Sequence, residues 1–308
     1  MANCMVTGGA GFIGSHIVDI LVCQGHNVLV VDNLSRGKVE NVNSRAQLLV
    51  MDIRARDLFS VVADNKIQYV FHAAAQIDVQ KSIEDVKADA DVNIMGTLNV
   101  LEACRHADVQ KIIFSSSAAV YGEPLNLPID ESHTLQALSG YGVSKLAAEG
   151  YLHMYRELYG LEYTVLRYAN VYGPRQDATG EGGVVAIFCR NLLQGQAPVI
   201  YGDGEQSRDF IYVEDVALAN FMAMNHGNGL VCNVSTGQPT TVNTLLQSLV
   251  DISGRYVEPD YTPARAGDIL HSHLSNAKAQ EELQWSSQTS LVKGLKYTLD
   301  SWDCPDIF

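Results

Sequence analysis

The chain has 308 residues, of which 47% are hydrophobic and 18% charged, with a formal net charge of −14. That length supports a large core and about two domains, and the apolar balance belongs to a globular protein rather than a disordered one. The acidic balance excludes a general nucleic-acid partner, whose interface is strongly positive, yet two or three local arginines can still hold one anionic small molecule. No apolar run approaches the roughly 18 residues needed to span a bilayer. The N-terminus enters an apolar run and a glycine turn with no basic leader region, so a cytoplasmic home is expected and no membrane. The six cysteines form no C-x-x-C pair and the histidines show no metal-ligand spacing, so neither a disulfide framework nor a metal site is expected.

Up to about residue 170, β-type and helix-type patterns alternate. Met5-Val6 leads into glycines and a helical stretch over 13–23, then Asn27-Val-Leu-Val-Val-Asp32 reads as a strand. A strand over 46–52, a helix-like segment and a strand at 69–73 follow. Helix 91–106, strand 111–116, helix 141–158 and strand 163–168 complete the alternation. Short, continuous apolar strands separated by helices predict an α/β fold, a doubly wound parallel sheet of the Rossmann kind covered on both faces. Glycine and proline become denser after Gly173. The expected division is therefore a dinucleotide-binding domain over 1–172 and a smaller, mainly substrate-binding domain over 173–308, some of whose segments can return to the first. The run Phe210-Ile-Tyr-Val fits either half.

The strongest local signal is Thr7-Gly8-Gly9-Ala10-Gly11-Phe12-Ile13-Gly14. Glycine there turns sharply, lets backbone approach a pyrophosphate, and packs helix on strand, while the helix that follows aims free N–H groups at the phosphates. The second strand ends at Asp32, about where a carboxylate grips a ribose 2′-hydroxyl and repels a 2′-phosphate, which favours NAD over NADP. Asp52-Ile53 closes the next strand at the same sheet edge, in place to bond the adenine.

Tyr141-Gly-Val-Ser-Lys145 sets a phenol and an ammonium at i and i+4 on one helix face. A free phenol, with a pKa near 10, is a poor base at neutral pH. A lysine cation and a positively charged nicotinamide favour its phenolate, which can then take a proton from a sugar hydroxyl while the adjoining carbon gives up hydride. Ser115-Ser-Ser117-Ala-Ala-Val-Tyr-Gly122 stands at a strand's carboxyl end, where doubly wound sheets bind ligands. Ser117 is the candidate to bond the reacting oxygen.

These motifs, with Arg167-Tyr-Ala-Asn-Val-Tyr-Gly-Pro174 and Gly202-Asp-Gly-Glu-Gln-Ser-Arg-Asp-Phe210, resemble the extended short-chain dehydrogenase/reductase family, and within it sugar-nucleotide 4-epimerases of the UDP-glucose 4-epimerase type. The likeness runs from residue 5 to about residue 285. It implies a cofactor site of Gly8, Gly11, Phe12, Ile13, Gly14, Asp32, Asn33, Asp52, Ile53, Ala73, Ala74, Ala75, Asn93, Tyr141, Lys145 and Tyr168, the last beside the nicotinamide. It implies a UDP-sugar held by Ser116, Ser117, Asn170, Arg208, Arg265, Asp268 and Ser272, the two arginines on the diphosphate, and residues 183–188 passing the uracil. In similar enzymes the helices over 91–106 and 141–159 pair across a two-fold axis, which implies a homodimer.

Residues 118 and 119 narrow the reaction. Resembling dehydratases and decarboxylases carry acids after the serine, whereas this chain has Ala118-Ala119, and methyl groups do no acid–base work. That leaves oxidation at C4, turnover of the keto sugar and return of hydride to its other face. Ser272 is small and leaves room for an N-acetyl group. Asp177 opposes a sugar carboxylate and so weakens, without removing, a uronate reading. A dehydrogenase on another nucleotide sugar and a non-catalytic NAD-binding regulator stay open, although an intact Ser117, Tyr141 and Lys145 opposes the regulator.

Overall fold

The computed structural model describes residues 1–179, 183–264 and 268–302. In chain order its strands are β1 (Asn3–Thr7), β2 (Asn27–Asp32), β3 (Gln47–Val50), β4 (Tyr69–His72), β5 (Lys111–Ser117) and β6 (Glu162–Tyr168). They continue with β7 (Asn170–Tyr172), β8 (Val199–Tyr201), β9 (Ser207–Tyr212), β10 (Leu230–Val234), β11 (Pro239–Thr241) and β12 (Asp260–Thr262). The helices are α1 (Phe12–Cys23), α2 (Leu58–Asp64), α3 (Val79–Glu84), α4 (Val86–Ala90), α5 (Gly96–His106) and α6 (Gly140–Tyr159). After them come α7 (Val184–Gln194), α8 (Val213–Ala223), α9 (Val242–Ser253), α10 (Ala277–Glu282) and α11 (Leu291–Trp302).

Seven strands pair in the order β10-β6-β5-β4-β1-β2-β3, every neighbour parallel. Alternation along each strand fills two cores, because successive side chains of a strand point to opposite faces. Cys4 and Val6 meet Ile17 and Leu21 of α1 and Val216 and Ala219 of α8, while Met5 meets Leu58 of α2, Leu101 of α5 and Leu152 of α6. Burial on both faces is why these strands read as near-continuous apolar runs. The order reverses beside β1, which opens a crevice at the carboxyl ends of β1 and β4.

Helix α8 and strand β10 return to this sheet although they lie beyond residue 172. The Phe210-Ile-Tyr-Val run falls in β9, centre of a smaller β11-β9-β7 sheet. A third core beside that sheet gathers Phe188, Phe210, Tyr212, Leu245, Leu249 and Leu295 from β9, α7, α9 and α11.

A buried ion pair locks β5, β6 and α6 together. Arg167 donates from Nε and Nη2 to the two oxygens of Glu149 at 3.0 and 2.6 Å, and from Nη1 to the Tyr121 hydroxyl at 2.9 Å. Ser116 adds a 2.6 Å bond to the same carboxylate, and Tyr121 donates to Asn233 Oδ1 of β10 at 2.7 Å. Removing one member of such a pair strands a charge in the interior. Arg167→Leu is expected to cost about 3–5 kcal/mol in urea denaturation, with Arg167→Leu/Glu149→Leu costing less than the single change.

Candidate active site

β1 ends in the glycine turn. Gly8 has φ +70°, and a Cβ there would stand 2.7 Å from Ala74 N, so a side chain is excluded by both conformation and space. A Cβ on Gly14 would meet Gly8 O at 2.1 Å, which is the close packing of helix on turn that only glycine allows. Helix α1 then starts at Phe12, next to Ile13, with no side-chain cap at Gly11 and no acid in its first turn. Its positive end is left for an anion.

Loops wall the turn on both sides. Asp32 is buried and accepts from Ala10 N at 3.0 Å and Leu34 N at 2.8 Å, so its carboxylate is fixed at the end of β2. Asp52 accepts from Arg54 Nε and Nη2 at 2.8 and 2.7 Å and from Asn33 Nδ2 at 2.9 Å, and the Arg54 guanidinium holds its carboxyl well below the usual range. Ile53 is buried against Gly96. Opposite, Ala73, Ala74 and Ala75 follow β4, with Ala74 N donating to Thr7 Oγ1 at 3.3 Å.

The structure brings Ser117, Tyr141 and Lys145 together at the carboxyl end of β5. Ser139 caps α6 by accepting from Gly142 N at 3.1 Å, and places Tyr141 in the first turn, where the helix end favours a phenolate. Lys145 Nζ donates to Ser115 O at 2.8 Å and lies 5.8 Å from the Tyr141 ring centroid. Burial pushes the Tyr141 phenol up to about 12, partly offset by the neighbouring Ser117 hydroxyl. Burial also brings the Lys145 ammonium down to about 8, against the pull of Asp89 and Glu149. Burial thus works against the charged form of both groups, leaving the phenol neutral and the ammonium still charged at neutral pH.

Asn93 is a hub rather than a surface of the groove. Its Oδ1 accepts from Gln76 N at 2.8 Å, while Nδ2 faces Gln76 O at 2.9 Å, Asp89 Oδ1 at 3.0 Å and Ser144 Oγ at 3.1 Å. It sits in a π-turn, Asp91–Met95, inserted ahead of α5. Behind it, Thr97 Oγ1 donates to Asn93 O at 2.6 Å. The buried His72 then donates from Nε2 to Thr97 Oγ1 at 3.0 Å and meets Thr7 Oγ1 through Nδ1 at 2.6 Å.

Ser116 is a correction. Alternation along β5 turns it to the face opposite Ser115 and Ser117, where it is 2% exposed and spent on Glu149, so its hydroxyl does not reach a substrate. The Tyr168 hydroxyl is buried between Ser115 Oγ at 3.0 Å and Asn220 Nδ2 at 2.8 Å. On the substrate side, Asn170 opens β7 in an exposed position. Arg208 is aimed by Nη1 bonds to Ser207 O at 2.9 Å and Leu270 O at 3.3 Å. Asp268 is exposed within electrostatic reach of Arg208. Ser272 lies beside it, its N–H donating to Ser207 O at 3.1 Å. Gly183 precedes α7, whereas Arg265 falls outside the described residues.

The model of the NAD dependent epimerase/dehydratase family matches residues 4–235. The chain belongs to that family. It is 47% identical over 293 residues to a putative UDP-glucose 4-epimerase of Methanocaldococcus jannaschii, covering 95% of each chain. A UDP-glucose 4-epimerase of Thermotoga maritima, solved with UDP-glucose, is similar at 47% identity and TM-score 0.95, with 97% of this chain and 98% of that one covered. A UDP-N-acetylglucosamine 4-epimerase of Methanobrevibacter ruminantium, in complex with UDP-N-acetylmuramic acid, is similar at 38% identity and TM-score 0.94, with 98% of each covered.

As a member of this family the chain uses NAD, and its residues fit that group. A Cβ at Gly8 or Gly14 would fill the cradle, α1 presents an uncapped positive end, and Asp32 stands where a ribose hydroxyl would come. Sequence reading missed Ser115, Asn220, Asp89 and the Thr7–His72–Thr97 chain. The alternation of three serines along β5 carried a signal for Ser115 and the glycine motif one for Thr7, whereas Asn220, His72 and Thr97 are single polar residues within largely apolar stretches and Asp89 is one of several acids around α4.

The His72 chain sets a pH dependence. Burial lowers the imidazole from 6.5 to about 3, with Lys145 adding to the effect, and burial lowers His16 to about 4. The unfolded chain therefore binds more protons than the folded one as pH falls below 6.5 toward these values. Stability is expected to drop through that window in thermal melts taken from neutral pH downward, and His72→Asn should flatten the slope.

Proposed function

We propose that the protein is an NAD-dependent UDP-hexose 4-epimerase acting through a transient 4-keto sugar. The observation that carries the reading is the convergence of Ser117, Tyr141 and Lys145 at the carboxyl end of β5, on the same sheet edge as the glycine turn after β1, with only methyl groups at Ala118 and Ala119. NAD, when bound, supplies the acceptor and donor of hydride. Tyr141 takes the proton of the C4 hydroxyl and returns it after the sugar has turned. Ser117 holds the reacting oxygen, and Lys145, anchored on Ser115 O, favours the phenolate. Arg208, with Arg265, binds the diphosphate through charge-assisted bonds. Tyr168, with Ser115 and Asn220 fixing its hydroxyl, backs the cofactor's reactive end.

Ser272, next to Arg208, bounds the sugar pocket, and its size supports acceptance of N-acetylated hexoses. The family relationship to an N-acetylglucosamine 4-epimerase favours the same breadth. A homodimer is the proposed assembly, because Met95, Val143, Leu158 and Tyr159 expose apolar surface around the α5–α6 pair. The proposed home is the cytoplasm, whose reducing poise suits separate and mostly buried thiols.

The test is incubation without added NAD with UDP-galactose, UDP-N-acetylgalactosamine and UDP-galacturonate, followed by chromatography. Conversion of UDP-galactose and UDP-N-acetylgalactosamine to their gluco partners is expected, with UDP-galacturonate the poorest of the three because of Asp177, and with Tyr141→Phe slower by about 10²–10⁴-fold. No product, even with NAD supplied, overturns the reading. Ser272→Tyr is expected to suppress turnover of the N-acetylated pair while sparing UDP-galactose, read as separate kcat/KM values.

A further inference from the structure

Arg36 lies in the loop after β2, and Asp78 in the loop after β4. In the sheet, β2 and β4 flank β1 on either side, and β1 runs directly into the glycine turn. A side-chain bridge between those two loops must therefore cross the carboxyl end of β1. Such a bridge is present: Arg36 Nη2 donates to Asp78 Oδ2 at 3.3 Å. The same loops abut the turn itself. Lys38 N and Asn41 Nδ2 both donate to Ala10 O at 3.0 Å, while Ala74 closes on Gly8 from the other side. The groove over the turn thus has two walls, and the ion pair spans them.

We infer that Arg36 and Asp78 form a latch across the bound dinucleotide, joining the walls of its groove and slowing its escape. The inference rests on NAD occupying the glycine turn. The two halves are unequal. Asp78 is fixed, with a side chain only 7% exposed, one oxygen capping α3 at Lys81 N (3.0 Å) and its own N–H bonded to Gln76 Oε1 at 2.6 Å. Arg36 is 43% exposed and has a long, rotatable stem. Opening therefore needs only the guanidinium to swing. Lys81 Nζ, 3.8 Å from the same Asp78 oxygen, keeps that carboxylate partly balanced meanwhile. An enzyme that returns its cofactor to the starting oxidation state in every cycle has no need to exchange it, so slow release serves the proposed reaction.

The experiment measures cofactor release rather than turnover. Protein loaded with radiolabelled NAD is chased with excess unlabelled NAD, and retained label is followed by rapid filtration for the wild type, Arg36→Ala, Asp78→Asn and the double variant. Asparagine still caps a helix, so Asp78→Asn removes the charge and keeps α3. Each single change should speed release by about two- to five-fold, as expected for a half-exposed pair. The double variant should be no faster than the singles. Added salt should speed the wild type and leave the variants unmoved. Wild-type release in Arg36→Ala overturns the latch. So does faster release in Arg36→Ala with wild-type release in Asp78→Asn, since Arg36 then acts on the cofactor without its partner. Turnover of UDP-galactose by the wild type, measured in parallel, tests the catalytic reading separately.

Discussion

The site depends on one carboxamide. Asn93 holds the backbone of Gln76 on the cofactor side and Ser144 on the catalytic helix, and Ser144 lies between Tyr141 and Lys145. The contact exists because the helix entering α5 takes a π-turn over residues 91–95. One extra residue in a turn rotates the side chains that follow, and such insertions recur where a fold must aim one of them. Here the aimed side chain reaches two walls at once. The loop after β4 and the helix that carries Tyr141 and Lys145 are therefore joined through one side chain.

Beneath that knot, the sheet is held in register by groups buried in the interior. Glu149 and Arg167 exchange two bonds below the trio, and Ser116 and Tyr121 complete their lone pairs and protons. A buried pair of this kind adds little net stability over an apolar core, because desolvation offsets most of the attraction. Its value lies in what it forbids. A slip of β5 against β6 or α6 would leave a charge unpaired, whereas an apolar contact tolerates sliding. Ser115 and Ser117 keep their places because Ser116 is tied down between them.

The parts legible in the sequence are those whose chemistry is local. Gly8, Gly11 and Gly14 were readable because backbone conformation and close approach demand glycine at fixed intervals, and Tyr141 and Lys145 because helical spacing puts them on one face. Asp32 was readable from its distance along the chain. Asn93 was picked out, but as a cofactor contact. Its role as a hub needs the π-turn, which no residue pattern announces. Ser116 was read as a substrate contact from the resemblance, although the alternation rule applied to β5 separates it from Ser115 and Ser117. The return of α8 and β10 to the large sheet, and with it Asn220 behind Tyr168, is a tertiary fact between segments far apart in the chain. Local propensity is silent about it.

Burial poises the Tyr141–Lys145 pair in a particular way. It raises the phenol and lowers the ammonium, so in the empty site Tyr141 is a neutral phenol and a poor base, while Lys145, at about 8, keeps its charge at neutral pH. A positive nicotinamide changes the balance at Tyr141 by favouring the phenolate, and in a dry site that attraction is stronger than it would be in water. On the proposed reading, the cofactor that would accept the hydride would also make Tyr141 competent as a base. If the proposed latch holds the cofactor through many turnovers, Tyr141 would stay poised throughout, which would give the glycine cradle, the fixed Asp32 and the walls around the turn a catalytic as well as a binding consequence.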